Sequence, residues 1–272
     1  MCGSLIIRCA IILSILLSWV SSRAWAETAQ EILDQVKATN DAHQPKDMVE
    51  RARMTIFGDS GRQRIRDLVV EVKNYGGRNS KSITFFLTPA ELKNVGVLSW
   101  VYPDKEDEQW IYFPETERIR RLNASLSKDN FGDSDFSYED SKLFSDLIQD
   151  WTKVGAGVLL SEGEPIDGQK CAVIEFTPKR DDLDYGKLKM WLNRADSTLR
   201  KMELYSRNDS GLTKVLHVTN FSTVVNIPTP YHLEMTSVRK NTHTVLEFLE
   251  IKYNQGLDDD TFSQRSLQRG PS

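Results

Sequence analysis

From Thr28 the apolar positions recur at helical spacing: Ile32, Leu33 and Val36 fall on one face of "TAQEILDQV", and Thr28 with Glu31 fits a capping box that starts the helix. The pattern predicts an amphipathic helix ending before Pro45. From Met48 the period shortens to two. Runs such as "RARMTIF", "RQRIRDLVVEVKNY" and "KSITFFL" are separated by Gly58-Asp59-Ser60-Gly61 and by Gly76-Gly77-Arg78-Asn79, the chemistry of tight turns between paired strands. Alternation continues through "GVLSWVY", "QWIYF" and "ERIRRL", breaks around residues 123–150, and resumes from "CAVIEFTP" through "GKLKMWL", "LRKMELYS", "TKVLHVTNF" and "YHLEMTSV" to "TVLEFLEIKY". Many short strands without long helices between them predict a mainly β chain built on one antiparallel sheet, closed or nearly so. No Pro-, Gly- or Ser-rich linker and no fixed-period repeat divides it.

Several strands are apolar on both faces. "SITFFL", "VLSWVY" and "WIYF" place large side chains at consecutive positions, so both sides of the sheet need cover. The candidates are the helix at 28–42, the stretch "SKLFSDLIQD" with its stripe of Leu143, Phe144, Leu147 and Ile148, and a final turn near "DDTFSQRSL". So few helices cannot pave so long a sheet. Part of the interior is therefore expected to be left for a ligand, with Phe85, Leu87, Trp110, Tyr112, Met190 and Leu192 as candidate lining.

Residues 1–26 are set apart from the fold: Arg8, an apolar run broken by serines, and Ala24-Trp25-Ala26 as a small-x-small cleavage site read as a secretory signal peptide rather than a membrane span. Residues 27–272 are then expected to form a single exported domain. Its only cysteine would be Cys171, so core packing must hold it without an internal disulfide. The formal charge of -4 argues against a nucleic-acid partner. No later segment is long and apolar enough to anchor in a bilayer, so membrane contact is expected to be transient.

The segment "FGDSDFSYED", Phe131 to Asp140, holds four carboxylates and three aromatic rings. It does not fit a calcium loop: a start at Asp129 puts Phe131 at a ligand position and Ser134 where glycine is needed, and a start at Asp133 puts Phe144 in place of the final carboxylate. Ser137 with Asp140 does fit a capping pair, with Glu139 and Asp140 in the favourable first turn of a helix. Phe136 and Tyr138 are then expected to pack on the sheet and hold a lid. Arg118, Arg120 and Arg121 have three readings: contacts to lipid headgroups or a partner, solvent-facing charges, or ion pairs that latch the lid through Asp135, Asp140 or their neighbours. The four histidines are scattered, no G-x-S-x-G elbow or phosphate loop occurs, and no third group converges on His232 and Glu234. No catalytic, metal or cofactor site is expected.

The segment "WIYFPETERIRRLNASLSKDNFGDSDFSYED" resembles the signature of the LolA-like family of outer-membrane lipoprotein-sorting proteins, and "MWLNRADSTLRKMELYS" and "NQGLDDDTFSQRSL" are similar to later parts of it. The resemblance implies an incomplete antiparallel β-barrel lidded by short α-helices, and a periplasmic carrier, not an enzyme, that shields acyl chains of a lipid or lipoprotein in an apolar cavity. It further implies an outer-membrane acceptor or an inner-membrane exporter as partner. Arg51, Arg53, Arg62, Arg64 and Arg66 compete for the family's functional arginine on an early strand. The branch with the D-F-x-Y-E-D signature is associated with RND-type exporters, so the alternative is an accessory module of such an exporter without lipid transfer.

Overall fold

A computed structural model describes residues 28–122, 128–179, 181 and 183–271, without the side chain of Ile148. The predicted signal segment and the Ile148 side chain of the predicted lid stripe lie outside the described residues.

Helix α1 runs Ala29–His43 behind a complete Thr28/Glu31 capping box, and buries Ala29, Ile32, Leu33 and Val36. Six strands follow as a meander: β1 Asp47–Phe57, β2 Gln63–Gly76, β3 Asn79–Phe86, β4 Gly96–Val101, β5 Glu108–Phe113 and β6 Arg118–Arg121. Helix α2, Tyr138–Gln149, interrupts the strands. The second meander comprises β7 Gly157–Ile166, β8 Gln169–Phe176, β9 Tyr185–Asn193, β10 Leu199–Ser206, β11 Leu212–Val224, β12 Ile227–Ser237 and β13 Thr242–Tyr253, and the short helix α3, Gln264–Arg269, closes the fold.

The two meanders join through β1 and β13, giving one open, curved, 13-stranded antiparallel sheet in the order β6-β5-β4-β3-β2-β1-β13-β12-β11-β10-β9-β8-β7. Strands β6 and β7 are its two edges. Because the side chains alternate, each strand supplies two faces with different duties.

On the inner face, α1 and α2 cover Ala172, Ile174 and Phe176 of β8, Leu188, Met190 and Leu192 of β9, and Met202, Leu204, Leu216 and Met235 beyond them. Gly157 permits this approach: a Cβ there would meet Ile174 at 2.8 Å and Leu33 at 2.9 Å. A second inner cluster gathers Ala52, Met54, Ile56, Leu68, Phe86 and Ile111 under Phe131 and Tyr138.

The outer face of β2 to β5 is covered by the C-terminal segment. Phe262 and Leu267 bury themselves against Val69, Ile83, Phe85, Leu98, Trp110 and Tyr112, with Leu87 at the margin. Each such side chain contributes about 1.5–3 kcal/mol. The segment is strapped by the Asp47 carboxylate, which accepts from the amides of Gln255, Gly256 and Leu257, and by Trp100 Nε1 donating to the Phe262 carbonyl at 2.9 Å. Gly96 lies beneath it, where a Cβ would come 2.7 Å from Leu267.

This corrects the expected cavity lining. Phe85, Leu87, Trp110 and Tyr112 belong to the outer core, because strand alternation puts them opposite Phe86, Val97 and Ile111. Met190 and Leu192 do face inward, under the helices.

Candidate functional site

The acidic aromatic segment lies across the inner rim. Phe131 stacks on Phe86 with centroids 4.9 Å apart and meets Tyr138 edge-on at 5.6 Å. Gly132, at φ +56, takes the left-handed turn this needs, and any Cβ there would strike Phe86 at 2.7 Å. Ser137 then caps α2, accepting from the Asp140 amide while Asp140 accepts from the Ser137 amide. Phe136 and Phe144 pack at the margin of the inner core, and Leu143 and Leu147 are buried within it.

The acids meet partners other than the β6 arginines. Asp135 accepts from the hydroxyls of Thr242 at 2.5 Å and Thr244 at 2.7 Å, and its amide donates to Thr244 Oγ1, all on β13. Asp140 accepts from Tyr185 at 2.7 Å and from Lys214 at 2.6 Å. Glu139 accepts from the Asp184 amide at 2.8 Å, and burial raises its pKa to about 7. Asp133 faces the β2 arginines, 3.5 Å from Arg64 and 3.7 Å from Arg66.

The expected latch through Arg118, Arg120 and Arg121 is therefore corrected. Arg121 pairs with Glu108 at 3.2 Å, and Arg120 lies 5.9 Å from the Phe113 ring. The reason is position: β6 is an edge strand whose register sets Arg121 beside Trp110 on the outer face and Arg118 and Arg120 beside Phe113 and Ile111 on the inner one, whereas Asp135 and Asp140 reach β13, β9 and β11 on the other side of β1.

The other end of α2 has a stronger tie. Arg78, in the turn between β2 and β3, donates to both oxygens of Asp107 at 2.8 and 2.7 Å and to Asp146 of α2 at 2.7 and 2.9 Å. Its side chain and those of Asp107 and Asp146 are all buried. Burial alone would lower the Arg78 pKa, and the bonds from Asp107 and Asp146 outweigh it and raise it.

Between the end of α1, the exposed side of α2 and the inner wall of β2 to β5 lies a cavity of about 360 Å³. Met48, Val72, Val101, Ile227 and Pro228 form its apolar parts. Serine, asparagine and glutamine side chains supply most of the rest.

A family model described as an uncharacterized protein matches residues 78–269, more than half of the chain. The fold is shared with a putative outer membrane lipoprotein-sorting protein domain from Vibrio parahaemolyticus at 23% identity and TM-score 0.78, covering 88% of this chain and 97% of that one. A DUF1329 family protein from Desulfovibrio piger gives 23% identity, TM-score 0.79 and coverage of 88% and 98%, and a LolA superfamily protein from Nitrosomonas europaea gives 22%, 0.64 and coverage of 89% and 100%. The chain belongs to that uncharacterized family and has a LolA-like fold. No curated protein matches it.

In this chain the residues that fix α2 and the loop before it are mostly ones the sequence does not single out: Arg78, Asp107 and Asp146, then Thr242, Thr244, Tyr185 and Lys214. Arg78 sits in a glycine turn that reads only as a hairpin connection, and its two carboxylates are far away in sequence. The Ser137/Asp140 spacing is the one part of the clamp with a local signature. Among the described residues, no helix is long and apolar enough to cross a membrane and no group of His, Cys, Asp and Glu could hold a metal ion.

Proposed function

We propose that residues 27–272 form one periplasmic carrier domain that takes acyl chains of a lipid or lipoprotein onto the inner face, beneath α1, and passes them toward the outer membrane. The observation that carries this reading is the way α1 is seated. Ile32, Leu33 and Val36 bury against an apolar wall, and among the described residues no ion pair ties α1 to the sheet. Exposing those three side chains costs about 1.5–3 kcal/mol each, and a chain of some 12 methylenes returns about 0.8 kcal/mol per methylene. The two sums are close. Such a balance lets a chain replace the helix and still be released, by shielding and without bond chemistry. Contact with a membrane or an acceptor would be transient.

An environment-sensitive fatty-acid probe, titrated against the mature protein, tests the reading. Micromolar binding, displacement by acyl lipids and faster uptake by Leu33→Ala are expected. No binding by either protein, with no lipid retained in native mass spectrometry, would overturn it in favour of an exporter accessory module.

A further inference from the structure

The 360 Å³ cavity is lined mostly by apolar surface, but polar side chains cross it. Its sheet wall carries a polar row across three strands: Ser82 on β3 pairs in register with Ser99 on β4, which pairs with Gln109 on β5. Facing this row, α2 presents Ser141, Ser145 and Gln149, spaced four residues apart and thus on one side of the helix. Among the described residues the side chains of these six make no hydrogen bond to protein. Gln149 is the most telling: its Oε1 is buried and has no partner. A buried acceptor left unmade costs about 1–3 kcal/mol, and this one gains a donor from the cavity only when the Gln149 side chain turns toward it.

Charge narrows the occupant. The ionised groups around the cavity are already matched: Asp107 by Arg78 at 2.7 Å, with Lys142 3.9 Å away, Asp196 by Arg200 at 2.5 Å, and Asp41 by Lys37. Among the described residues every carboxylate lining the cavity already has a cation, so no anion awaits an amine, while Lys142 keeps only its 3.9 Å contact and His43 Nδ1 lies 2.7 Å from the Thr39 carbonyl. Hydroxyls and amides that both donate and accept, set beside Met48, Val72 and Val101, suit a ring or chain of neutral hydroxyls with C–H faces between them. The volume lies at the small end of the range of about 300–1,000 Å³ for small-molecule sites.

We propose that this cavity binds an uncharged polyhydroxylated group, the glycosyl or glyceryl head of a lipid, while the acyl part lies under α1. The placement of the acyl part rests on the carrier reading; the head-group site does not. Octyl maltoside below its micelle concentration, octyl phosphate, octylamine and free maltose serve as probes in calorimetric titrations. Octyl maltoside is expected to bind at least about tenfold tighter than the two charged octyl compounds, the worth of one or two net hydrogen bonds. The double variant Ser82→Val/Ser99→Val should lose that preference yet keep the fatty-acid probe and its melting temperature. Gln149→Leu provides the same test with a substitution that removes a buried orphan and so does not threaten folding. Maltose binding as tightly as octyl maltoside would support the site and assign it to free sugars. Equal binding of the charged compounds, or an unchanged preference in both variants, would overturn it, and retained fatty-acid binding in that case would leave the carrier reading standing.

Discussion

The two inner helices are of similar make and opposite attachment. Both begin with a complete capping box and both press an apolar stripe onto the same core. Helix α2 is fixed at its start by Asp140 to Tyr185 and Lys214, and further along by Asp146 to Arg78. Among the described residues helix α1 has no ion pair to the sheet; apolar contact and the Gln44 side chain bonding to the Gly77 carbonyl just past its end help to seat it, and its own ion pair, Lys37 with Asp41, is internal and partly exposed. Apolar contact is non-directional and can be exchanged for other apolar matter, whereas a buried ion pair has no good substitute. The difference separates the helix fixed to the frame from the one that the carrier proposal has cargo displace.

The largest expected effect comes from cutting the frame. Arg78→Ala leaves Asp107 and Asp146 buried without their cation and should destabilise the fold by about 3–5 kcal/mol in chemical denaturation. Lys37→Ala removes an exposed helix pair worth about 0.3–0.5 kcal/mol and serves as the α1 control. Hydrogen exchange on the Arg78 variant should accelerate in α2. If the two variants lose equal stability, the contrast between the helices is void.

Much of this architecture was legible beforehand because it is written locally. The change of period at Met48, both capping boxes and the doubly apolar strands led to a mainly β, helix-covered sheet. What was not legible was which face each residue serves. Phe85 and Phe86 are equally apolar neighbours, and only the docking of Phe262 and Leu267 decides that Phe85 is outer core. The lid ties failed for a related reason. The nearest arginines to Asp135 in sequence are those of β6, while folding brings Thr242 and Thr244 to it from 107 and 109 residues away.

A smaller effect, again confined to α2, follows from pH. Burial raises Glu139 from 4.5 to about 7, so between those values the folded chain holds a proton that the unfolded chain has released. Its stabilising contribution is complete below pH 4.5 and is lost as pH rises through 7, a change on the order of 2–3 kcal/mol. Glu139→Gln keeps an acceptor for the Asp184 amide and should flatten the melting profile between pH 5 and 8, by comparison with the parent under the same buffers. A slope unchanged by the substitution would place the proton elsewhere.

The smallest expected effect compares the two caps directly. Ser137 is buried, and its hydroxyl accepts from the Asp140 amide at 3.2 Å. Ser137→Ala should cost at least about 1 kcal/mol, the typical cap value, because an orphaned amide there cannot reach water easily. It leaves the Asp140 carboxylate bonded to Tyr185 and Lys214, so α2 should stay docked. Thr28 makes the same bond to Glu31 at 3.2 Å in an exposed setting, where water can replace it. Thr28→Ala should therefore cost less in global stability, about 0.5 kcal/mol, and show itself as fraying of the first turn of α1 in hydrogen exchange. If Thr28→Ala proves the costlier change, α1 is bound into the cooperative unit as firmly as α2, and cargo would have to enter by another route.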